Sequence, residues 1–363
     1  MDVAGFSPLE ADRLRRAYGR HNSSELLQAY LRKFQDGASD RGIDEETAKR
    51  IFVKFNGHYM FPESHAFAFG VTAYQSAWLK QYYPLEFYVA IFNQQPMGFY
   101  NTETLKEDAR RHGVLVLNPD VNSSSKNCTL EDGAMRLGLL NVTSVGPTAA
   151  EAIVEARNQQ GRFASIGEFM ERTKLRREAL ENMTDAGAFD SLREDRRDVR
   201  WEIGLRYRPV NLQLTLPLPV TQDMVNLQPI SEGERMEEEY RTMGLYPSGH
   251  VMAYLRKQLD KGIITSAEAS DLEDGTEVTV AGLVIRRQRP LGKAVFITLE
   301  DEHGHTPLVL WPKVYEQHRH VFKEPLVVVS GIVSRREGTM NVVVIGAKKI
   351  PAIEVTPKSR NWS

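Results

Sequence analysis

The stretch NVTSVGPTAAEAIVEAR, residues 141–157, passes from an apolar segment through a Ser-Val-Gly-Pro turn into an alanine-rich run. Glycine lets the backbone approach another group closely, and proline is well suited to the first turn of a helix. Ala150, Ile153 and Val154 fall at the spacing of one helical face. The pattern predicts a tight turn followed by a helix whose first amide groups attract an anion. An ordinary capped helical hairpin is the alternative interpretation.

The composition indicates a globular chain with several domains. Its 363 residues, 41% of them hydrophobic, allow two to four domains with apolar cores. The sequence has neither an apolar run long enough to span a membrane nor the charged start and apolar core of a signal peptide. The single cysteine, Cys128, excludes an internal disulfide and a cysteine-based zinc site. We therefore expect a cytoplasmic protein without a membrane partner.

The charge is balanced, with 46 basic and 48 acidic residues and a net charge of −2. A nucleic acid would therefore have to be bound by local basic patches and not by the field of the whole chain. Such patches occur in RLRRAYGR (13–20), KLRREAL (174–180), IRRQR (285–289) and SRRE (334–337). For each patch, a solvated helix face or strand edge is the alternative.

The first part of the chain is predicted to be mostly helical. Residues 1–112 form a helical region, and residues 113–200 form a small hairpin around Glu131-Asp132-Gly133 followed by the helices of a helix-hairpin-helix. From about 201 to 230, four prolines without a sustained period predict a linker. Two further helices complete the region 201–270.

Residues 271–352 are predicted to form a barrel, followed by a tail at 353–363. Five strands with a helix between the third and the fourth are typical of an OB-fold. Gly282 and Gly331 suit sharp bends or bulges within strands. The predicted fold class is thus a multidomain α+β chain. Because helix-hairpin-helix motifs and OB barrels bind nucleic acids, their presence in one chain indicates DNA binding.

Two groups of side chains suggest catalysis or metal binding but favour a structural role. Ser64 and His65 are adjacent, and adjacent side chains on a helix do not face one another, so we do not expect a catalytic triad. The histidines in DEHGHTPLVL (301–310) and YEQHRHVF (315–322) are predicted to lie on the surface and not to bind a metal.

The linker contains a peptide, LQLTLPLP (212–219), that resembles the opening of the short peptides that dock into the bacterial sliding clamp. Gln213, Leu214 and Leu216 are the clamp-binding candidates. Pro217-Leu218 stands where those peptides usually have Leu-Phe, and an inert linker is the alternative.

Longer phrases carry a resemblance to a known family. FPESHAFAFGVTAYQSAWLKQYYPLEFYVAIFNQQPMGFY (61–100) resembles the fingers region of C-family bacterial DNA polymerases, the alpha subunits of DNA polymerase III. ARRHGVLVLNPDVN, MRLGLLNVTSVG and LENMTDAGAFDSL extend the similarity through the helix-hairpin-helix region. NQQPMGFY and the tail KSRNWS resemble the error-prone, damage-induced ImuC-type branch, in which an acid usually stands at the position of Asn361. The resemblance covers essentially the whole chain.

The resemblance implies the C-terminal portion of an error-prone DNA polymerase that acts in translesion synthesis. The family's palm and catalytic aspartates have no counterpart in the sequence, so we expect no catalytic residue and no polymerase activity of this chain alone. No cofactor is expected on the chain, whereas Mg²⁺ is expected in the complete polymerase.

The expected partners are duplex and single-stranded DNA and the N-terminal polymerase portion that carries the palm. The sliding clamp and mutagenesis accessory proteins are further candidates. A non-catalytic DNA-binding accessory protein built from the same modules is the alternative function, and an independent hydrolase has little support.

The resemblance also implies roles for individual residues. Arg15, Arg16 and Arg20 on a basic fingers helix face the incoming triphosphate as fixed cations, with His65 and Phe69 beside it. The turn at Gly146 grips duplex phosphates through its amides, and the barrel holds single-stranded DNA. The candidates for these two DNA surfaces are Ser144, Val145, Gly146, Thr148, Arg286, Arg287, Phe296, Trp311, Arg335 and Arg336. For Trp311, a position in the core is the alternative.

Overall fold

A computed structural model describes residues 1–18, 24–55, 63–98, 100–207, 227–289, 294–336, 338–350 and 360–361. The chain forms two compact units, Met1–Gln81 and Tyr82–Ser363. Within the described ranges, no helix is both long and apolar enough to cross a lipid bilayer.

The first unit is helical. It contains α1 (Pro8–Tyr18), α2 (Ser24–Ser39), α3 (Glu45–Val53) and α4 (Glu63–Tyr82), which ends one residue past the unit. Phe6, Phe34 and Phe52 are buried in its core, where the ring of Phe34 packs edge to face against each of the other two. Asp44 begins α3 by accepting a hydrogen bond from the amide of Thr47 at 2.8 Å, as expected for an acidic residue before a helix.

The second unit begins with helices around a small sheet. In chain order these are α5 (Pro84–Asn93), α6 (Thr102–Arg111), β1 (Val116–Leu117), β2 (Thr129–Glu131), β3 (Ala134–Arg136), a 3₁₀ turn (Leu139–Asn141), α7 (Pro147–Gln160), α8 (Ile166–Thr173), α9 (Arg177–Asp185) and α10 (Arg196–Arg206). The strands are ordered β1-β3-β2. Asp132 and Gly133 both have positive φ, at 48° and 80°, which closes the predicted hairpin.

The stretch that was predicted to be a linker begins as a helix. α10 runs on to Arg206, into the stretch 201–230 that was predicted to be a linker. Val199 and Ile203 lie one turn apart and are both buried, so the apolar face of the helix continues past residue 200. Three further helices follow: α11 (Glu232–Met243), α12 (Val251–Arg256) and α13 (Ser266–Ser270).

The predicted OB-fold is confirmed as a closed barrel. It contains β4 (Glu277–Gln288), β5 (Val295–Glu300), β6 (His305–Leu310), α14 (Pro312–His318), a 3₁₀ turn (Val321–Lys323), β7 (Leu326–Arg336) and β8 (Thr339–Lys349). The order β5-β6-β8-β7-β4 closes because β4 also pairs with β5, and a two-residue β9 (Arg360–Asn361) pairs in parallel with β4.

The two barrel glycines lie where strands approach closely, and the predicted bulge is found at Gly331. A Cβ on Gly282 would lie 2.8 Å from the Leu299 Cβ, and one on Gly331 would lie 2.4 Å from the Val343 carbonyl oxygen. The β7–β8 register shifts at Gly331, which marks a bulge. A side chain at either position would therefore push neighbouring strands apart.

Helix α6 contains three fully buried charged side chains, Glu103, Lys106 and Glu107. Lys106 Nζ lies 3.1 Å from Glu103 Oε1 and also pairs with Glu107. Glu103 accepts hydrogen bonds from the Tyr240 hydroxyl at 2.8 Å and from the Tyr246 amide at 3.0 Å. The burial of these charges is tolerated because opposite charges and hydrogen-bond donors surround them.

Residues near both ends of α6 also hold the turn between β5 and β6. Arg111 Nη2 donates to Glu300 Oε1 at 2.8 Å, and the Thr104 hydroxyl donates to Glu300 Oε2 at 2.9 Å. Arg110 donates to the carbonyl oxygen of Glu302 at 2.6 Å. These bonds attach the barrel to the helical part of the second unit.

Candidate nucleic-acid interface

The bend that the sequence singled out lies between the 3₁₀ turn and α7. Residues 143–148 of this bend are exposed, except for Val145, which is buried. Ser144 has a φ of 69°, a left-handed conformation that is uncommon for serine. Gly146, at −82° and 175°, is the N-cap of α7, and Pro147 occupies the first turn. Val145 thus anchors the bend to the core while its neighbours face solvent.

Gly146 is not required by the fold of the chain itself. A Cβ at this position would meet no atom within 4 Å, and its φ is one that any residue adopts. No side chain caps the start of α7, so the first amides of the helix are directed outward. A glycine in this setting leaves room for a group from outside the chain to approach the backbone.

A second helix start adjoins this bend. α9 begins at Arg177, and its N-cap Arg176 makes no side-chain capping bond. The Ser144 hydroxyl donates to Glu178 Oε1 at 2.7 Å, and Asn182 Nδ2 donates to the carbonyl oxygen of Thr143 at 3.2 Å. α9 therefore packs beside the bend, with its first turn at Ser144.

The loop that leads into α9 carries exposed basic side chains. Lys174, Arg176 and Arg177 are exposed in and after the loop between α8 and α9. Arg177 pairs with Glu181 at 2.8 Å, and Glu178 places one negative charge next to Ser144. Exposed cations beside uncapped amides can hold a phosphate chain without reading bases.

The outer face of the barrel places Arg286 near Phe296. Arg286 pairs with Thr298, and Phe296 pairs with Gln288 on one side and with Val309 on the other. Side chains alternate along a strand, so these residues share the outward face of β4, β5 and β6. Phe296 is 41% exposed, which allows a base to stack on its ring.

The other barrel candidates are more dispersed. Arg287, next to Arg286, is half-buried and donates to the Glu324 carbonyl oxygen at 3.4 Å, and burial lowers the pKa of its guanidinium. Arg335 donates to the carbonyl oxygens of Leu272, at 2.8 Å, and Ser270. Arg336 is exposed at the end of β7. Their roles in DNA binding stay predictions.

Trp311 lies at the surface and not in the core. It directly follows β6 as the N-cap of α14 and is 56% exposed. The core alternative for this residue is therefore wrong, and its aromatic face is accessible.

The candidates for nucleotide binding lie in the first unit. Arg15 and Arg16 both pair with Asp12 at 2.8 Å, and the hydrogen bond from Arg15 lowers the pKa of that carboxyl. His65 and Phe69 are one turn apart on α4, with ring centroids 4.6 Å apart. A triphosphate would have to compete with Asp12 for both guanidinium groups.

Several predicted sites lie outside the described residues or show no cluster. Arg20 and the clamp-binding candidates Gln213, Leu214 and Leu216 lie outside the described residues. Across the described ranges, no group of three or more histidine, cysteine, aspartate or glutamate side chains could hold a metal ion.

The sequence did not reveal Glu178 or the start of α9 as parts of the interface. KLRREAL indicated a basic patch, but its contact with the bend joins residues that are 34 positions apart. The signal that could have found it is the repeated pattern of a helix start without a capping side chain.

The barrel and the paired helix starts define a nucleic-acid-binding chain with two modules. The profile of the helix-hairpin-helix motif matches residues 113–199, and that of the OB-fold nucleic acid binding domain matches residues 278–350.

The chain is also similar to longer curated proteins. It is 40% identical over 360 residues to the error-prone DNA polymerase of Anaeromyxobacter sp. (strain K), covering 94% of this chain and 32% of that protein. It is 36% identical over 376 residues to the error-prone DNA polymerase of Methylococcus capsulatus, covering 94% of this chain and 35% of the relative. The chain is homologous to the C-terminal third of error-prone DNA polymerases, and spans about a third of the length of these relatives.

Solved structures match a smaller part of the chain. Asparaginyl-tRNA synthetase from Pyrococcus horikoshii is 29% identical, over 25% of this chain and 23% of that chain, with a TM-score of 0.22. A TM-score this low carries no weight for the chain as a whole.

Proposed function

We propose that this chain is the DNA-holding portion of an error-prone DNA polymerase that acts in translesion synthesis in the cytoplasm. The bend at Gly146 binds the backbone of the template–primer duplex, and the barrel binds the single-stranded template. Synthesis requires the palm-bearing portion, and Mg²⁺ belongs to the complete polymerase. The chain alone is then a binding protein.

The environment of Gly146 is the observation that carries this proposal. The open space at its Cα and the uncapped start of α7 together leave backbone amides accessible to a phosphate. The uncapped start of α9 and the exposed Lys174 and Arg176 add positive potential at the same surface. A duplex backbone carries the evenly spaced phosphates that such a surface fits.

The barrel and the fingers helices supply the other contacts in this proposal. Arg286 and Phe296 offer a cation and a stacking ring on one face. Arg15 and Arg16 meet the incoming triphosphate, with His65 and Phe69 at its side. Docking into the sliding clamp through residues 212–218 and attachment of mutagenesis accessory proteins remain additional proposals.

The proposal is tested with Gly146→Val, measured by fluorescence anisotropy on a duplex with a single-stranded overhang. We expect about tenfold weaker binding, because the valine side chain blocks the approach of a phosphate to the backbone. Gly262→Val is the matched control, since a Cβ there also meets no atom within 4 Å. The control should bind within about twofold of wild type, and wild-type affinity should fall steeply between 50 and 200 mM salt, a range over which phosphate contacts weaken markedly.

Equal binding by both variants, or a flat salt response, would contradict the proposal. The accessory-protein alternative is separated by a second measurement. The palm-bearing portion of a relative is added and primer extension is measured. If this chain is a polymerase fragment, synthesis should be restored. If it is an accessory protein, it should bind DNA without restoring synthesis.

A further inference from the structure

A cavity of about 480 Å³ lies on the outer surface of the barrel, beside the connection between α12 and α13. This connection, residues 257–265, runs next to β4, because the Ile264 amide donates to the Thr279 carbonyl oxygen at 3.0 Å. β7 and then β8 follow on the other side of β4. Among the described residues, the lining includes none of the DNA-binding candidates. The cavity is therefore a separate site, with a volume that ordinarily holds a small molecule.

The floor of the cavity is made of small side chains. Ser330 of β7 pairs with Thr279 of β4 and with Gly346 of β8, so the three residues form one row across the strands. Their neighbours Val280 and Val329 belong to the barrel core, so the row faces outward. A Cβ on Gly346 would lie 3.0 Å from the Ser330 hydroxyl oxygen. The row thus leaves open space and offers two hydroxyl groups to a ligand.

The side of the cavity at β8 is cationic. Lys348 and Lys349, at the end of β8, line the cavity and are exposed. Within the described part of the chain, no ion pair involves either lysine. α14 packs against β8, and its last residue, His318, also lines the cavity. Two ammonium groups in this position are suited to holding a phosphate group.

The opposite side, at the connection between α12 and α13, is mostly apolar. Leu259 and Ile263 line it and pack against the apolar cluster that α12 shares with β4. Asp260 is the only acidic residue among the described lining residues. Because β4 and β8 are two interstrand spacings apart, about 10 Å separates this side from the lysines. A ligand that matches both sides has an apolar ring at one end and an anionic group at the other.

We propose that the cavity binds one free nucleotide, with its base against Leu259 and Ile263 and its phosphate groups at Lys348 and Lys349. The hydroxyl groups of the floor meet the sugar between these two ends. Asp260 favours a free nucleotide over one within a DNA strand. A nucleotide within a strand has a phosphate on each side, and the carboxylate of Asp260 would repel the second phosphate.

This site goes beyond the proposed function. The cavity lies in the second unit of the chain, whereas Arg15 and Arg16, the candidates that meet the incoming triphosphate, lie in the first. Binding of a nucleotide to the barrel can therefore be tested apart from binding at the fingers helices.

Isothermal titration calorimetry on the whole chain, without added Mg²⁺, tests whether both ends of the cavity are used. The ligands are dATP, deoxyadenosine and inorganic tripolyphosphate. We expect dATP to bind at least tenfold more tightly than either of the others, because each of them lacks the group that fills one end. No binding of dATP, or equal affinity for dATP and tripolyphosphate, overturns the inference.

Variants then locate the site. Lys348→Gln/Lys349→Gln should weaken dATP binding at least tenfold, and so should Ser330→Phe, which fills the floor with a side chain that strands accept. The matched control, Lys313→Gln/Lys323→Gln, removes the same charge from exposed barrel positions outside the cavity and should bind within about twofold of wild type. Equal losses in the two lysine pairs overturn the inference, because net charge and not the cavity would then hold the nucleotide.

Two other outcomes assign the nucleotide elsewhere. If Arg15→Gln/Arg16→Gln abolishes dATP binding and the Lys348/Lys349 variant retains it, the fingers helices hold the nucleotide and the inference is overturned. If the Lys348/Lys349 variant weakens binding of single-stranded oligothymidine but not of dATP, the cavity holds a DNA strand, which also overturns it. Duplex binding by Gly146→Val tests the proposed function separately, since residue 146 lies outside the cavity.

Discussion

Helices α4 and α6 depart from the ordinary rule of burial in opposite directions. α4 exposes Phe67 and Tyr74, whereas α6 buries Glu103, Lys106 and Glu107 completely. The charges of α6 find their partners within the chain, in one another and in hydrogen-bond donors from distant segments. The comparison separates side chains whose environment is completed within the chain from side chains that stay exposed at its surface.

The bend at Gly146 belongs with α4 in this comparison. The surrounding chain does not require a glycine at this position, just as Phe67 and Tyr74 of α4 belong to no apolar core cluster of the described residues. Substitutions in α6 should therefore change the free energy of unfolding. Substitutions at Gly146 should change DNA binding, and those at the exposed positions of α4 should leave stability nearly constant. The following variants test that separation.

The largest effect is expected for Lys106→Met. The substitution leaves Glu103 and Glu107 buried without their common cation, which should lower the free energy of unfolding by about 3–5 kcal/mol. Urea denaturation measures the loss. Phe67→Ala on exposed α4 is the comparison and should change stability by no more than about 0.5 kcal/mol. Similar losses in both variants would erase the distinction between the two helices.

The buried His250 should make stability depend on pH. It is 1% exposed, and its Nδ1 accepts a hydrogen bond from the Met252 amide at 3.1 Å. Burial lowers its pKa from 6.5 to about 4, although Glu107, Glu300 and Glu302 act in the opposite direction and Lys106 adds to the lowering. Between pH 6.5 and 4 the folded chain thus binds fewer protons than the unfolded chain, so the free energy of unfolding falls as the pH falls.

His250→Asn isolates this effect. Asparagine keeps an N-cap acceptor and does not titrate, so the loss between pH 6.5 and 4, up to about 3 kcal/mol from this residue, should disappear. Burial raises the pKa of Glu103 and Glu238 to about 7. These two groups make the free energy of unfolding rise as the pH falls, but they do so equally in wild type and in the variant. The quantity to compare is therefore the difference between wild type and variant in urea denaturation at each pH. If the free energies of unfolding of wild type and variant changed in parallel with pH, His250 would not titrate between pH 6.5 and 4.

The fold was predictable where its signals are local. Helical spacing, the Gly-Pro turn and the order of the barrel strands all lie within short windows, and each was confirmed. The linker prediction was wrong at 201–206 because the buried side of α10 depends on contacts that the local pattern does not contain. The five-residue α13 was missed because it is too short to show a period.

The candidate interface was predictable only in part for the same reason. Gly146 and the basic patch at 174–180 could be read from residue type, but their adjacency depends on the fold. The sequence TETLKEDARR of α6 resembles a solvated helix, because the Tyr240 hydroxyl that accompanies Glu103 is 137 residues away. Contacts between side chains that are far apart in the sequence cannot be predicted from the local spacing of residues.

A smaller effect on stability is expected at Ser144, whose backbone is left-handed. Ser144→Ala keeps this strained conformation and loses the bonds to Glu178 and Asn182, at 2.7 and 3.1 Å, so it should cost about 1–2 kcal/mol. Ser144→Gly loses the same bonds but adopts positive φ freely, and should be about 1 kcal/mol more stable than the alanine variant. Thermal unfolding of the two variants measures the difference. If alanine were the more stable, the strain assigned to the bend would be absent.

The smallest effect is expected at Glu178, which places a negative charge beside the amides that we propose bind phosphate. Glu178→Gln can still accept the Ser144 hydroxyl bond, while it removes the charge that opposes a phosphate. Duplex affinity should rise about threefold at 50 mM salt, and the gain should shrink at 200 mM because exposed charges are screened. Glu155→Gln, exposed two turns into α7, is the control for net charge alone. A gain of equal size in both variants would mean that the bend is not where the phosphates lie, because only Glu178 touches it.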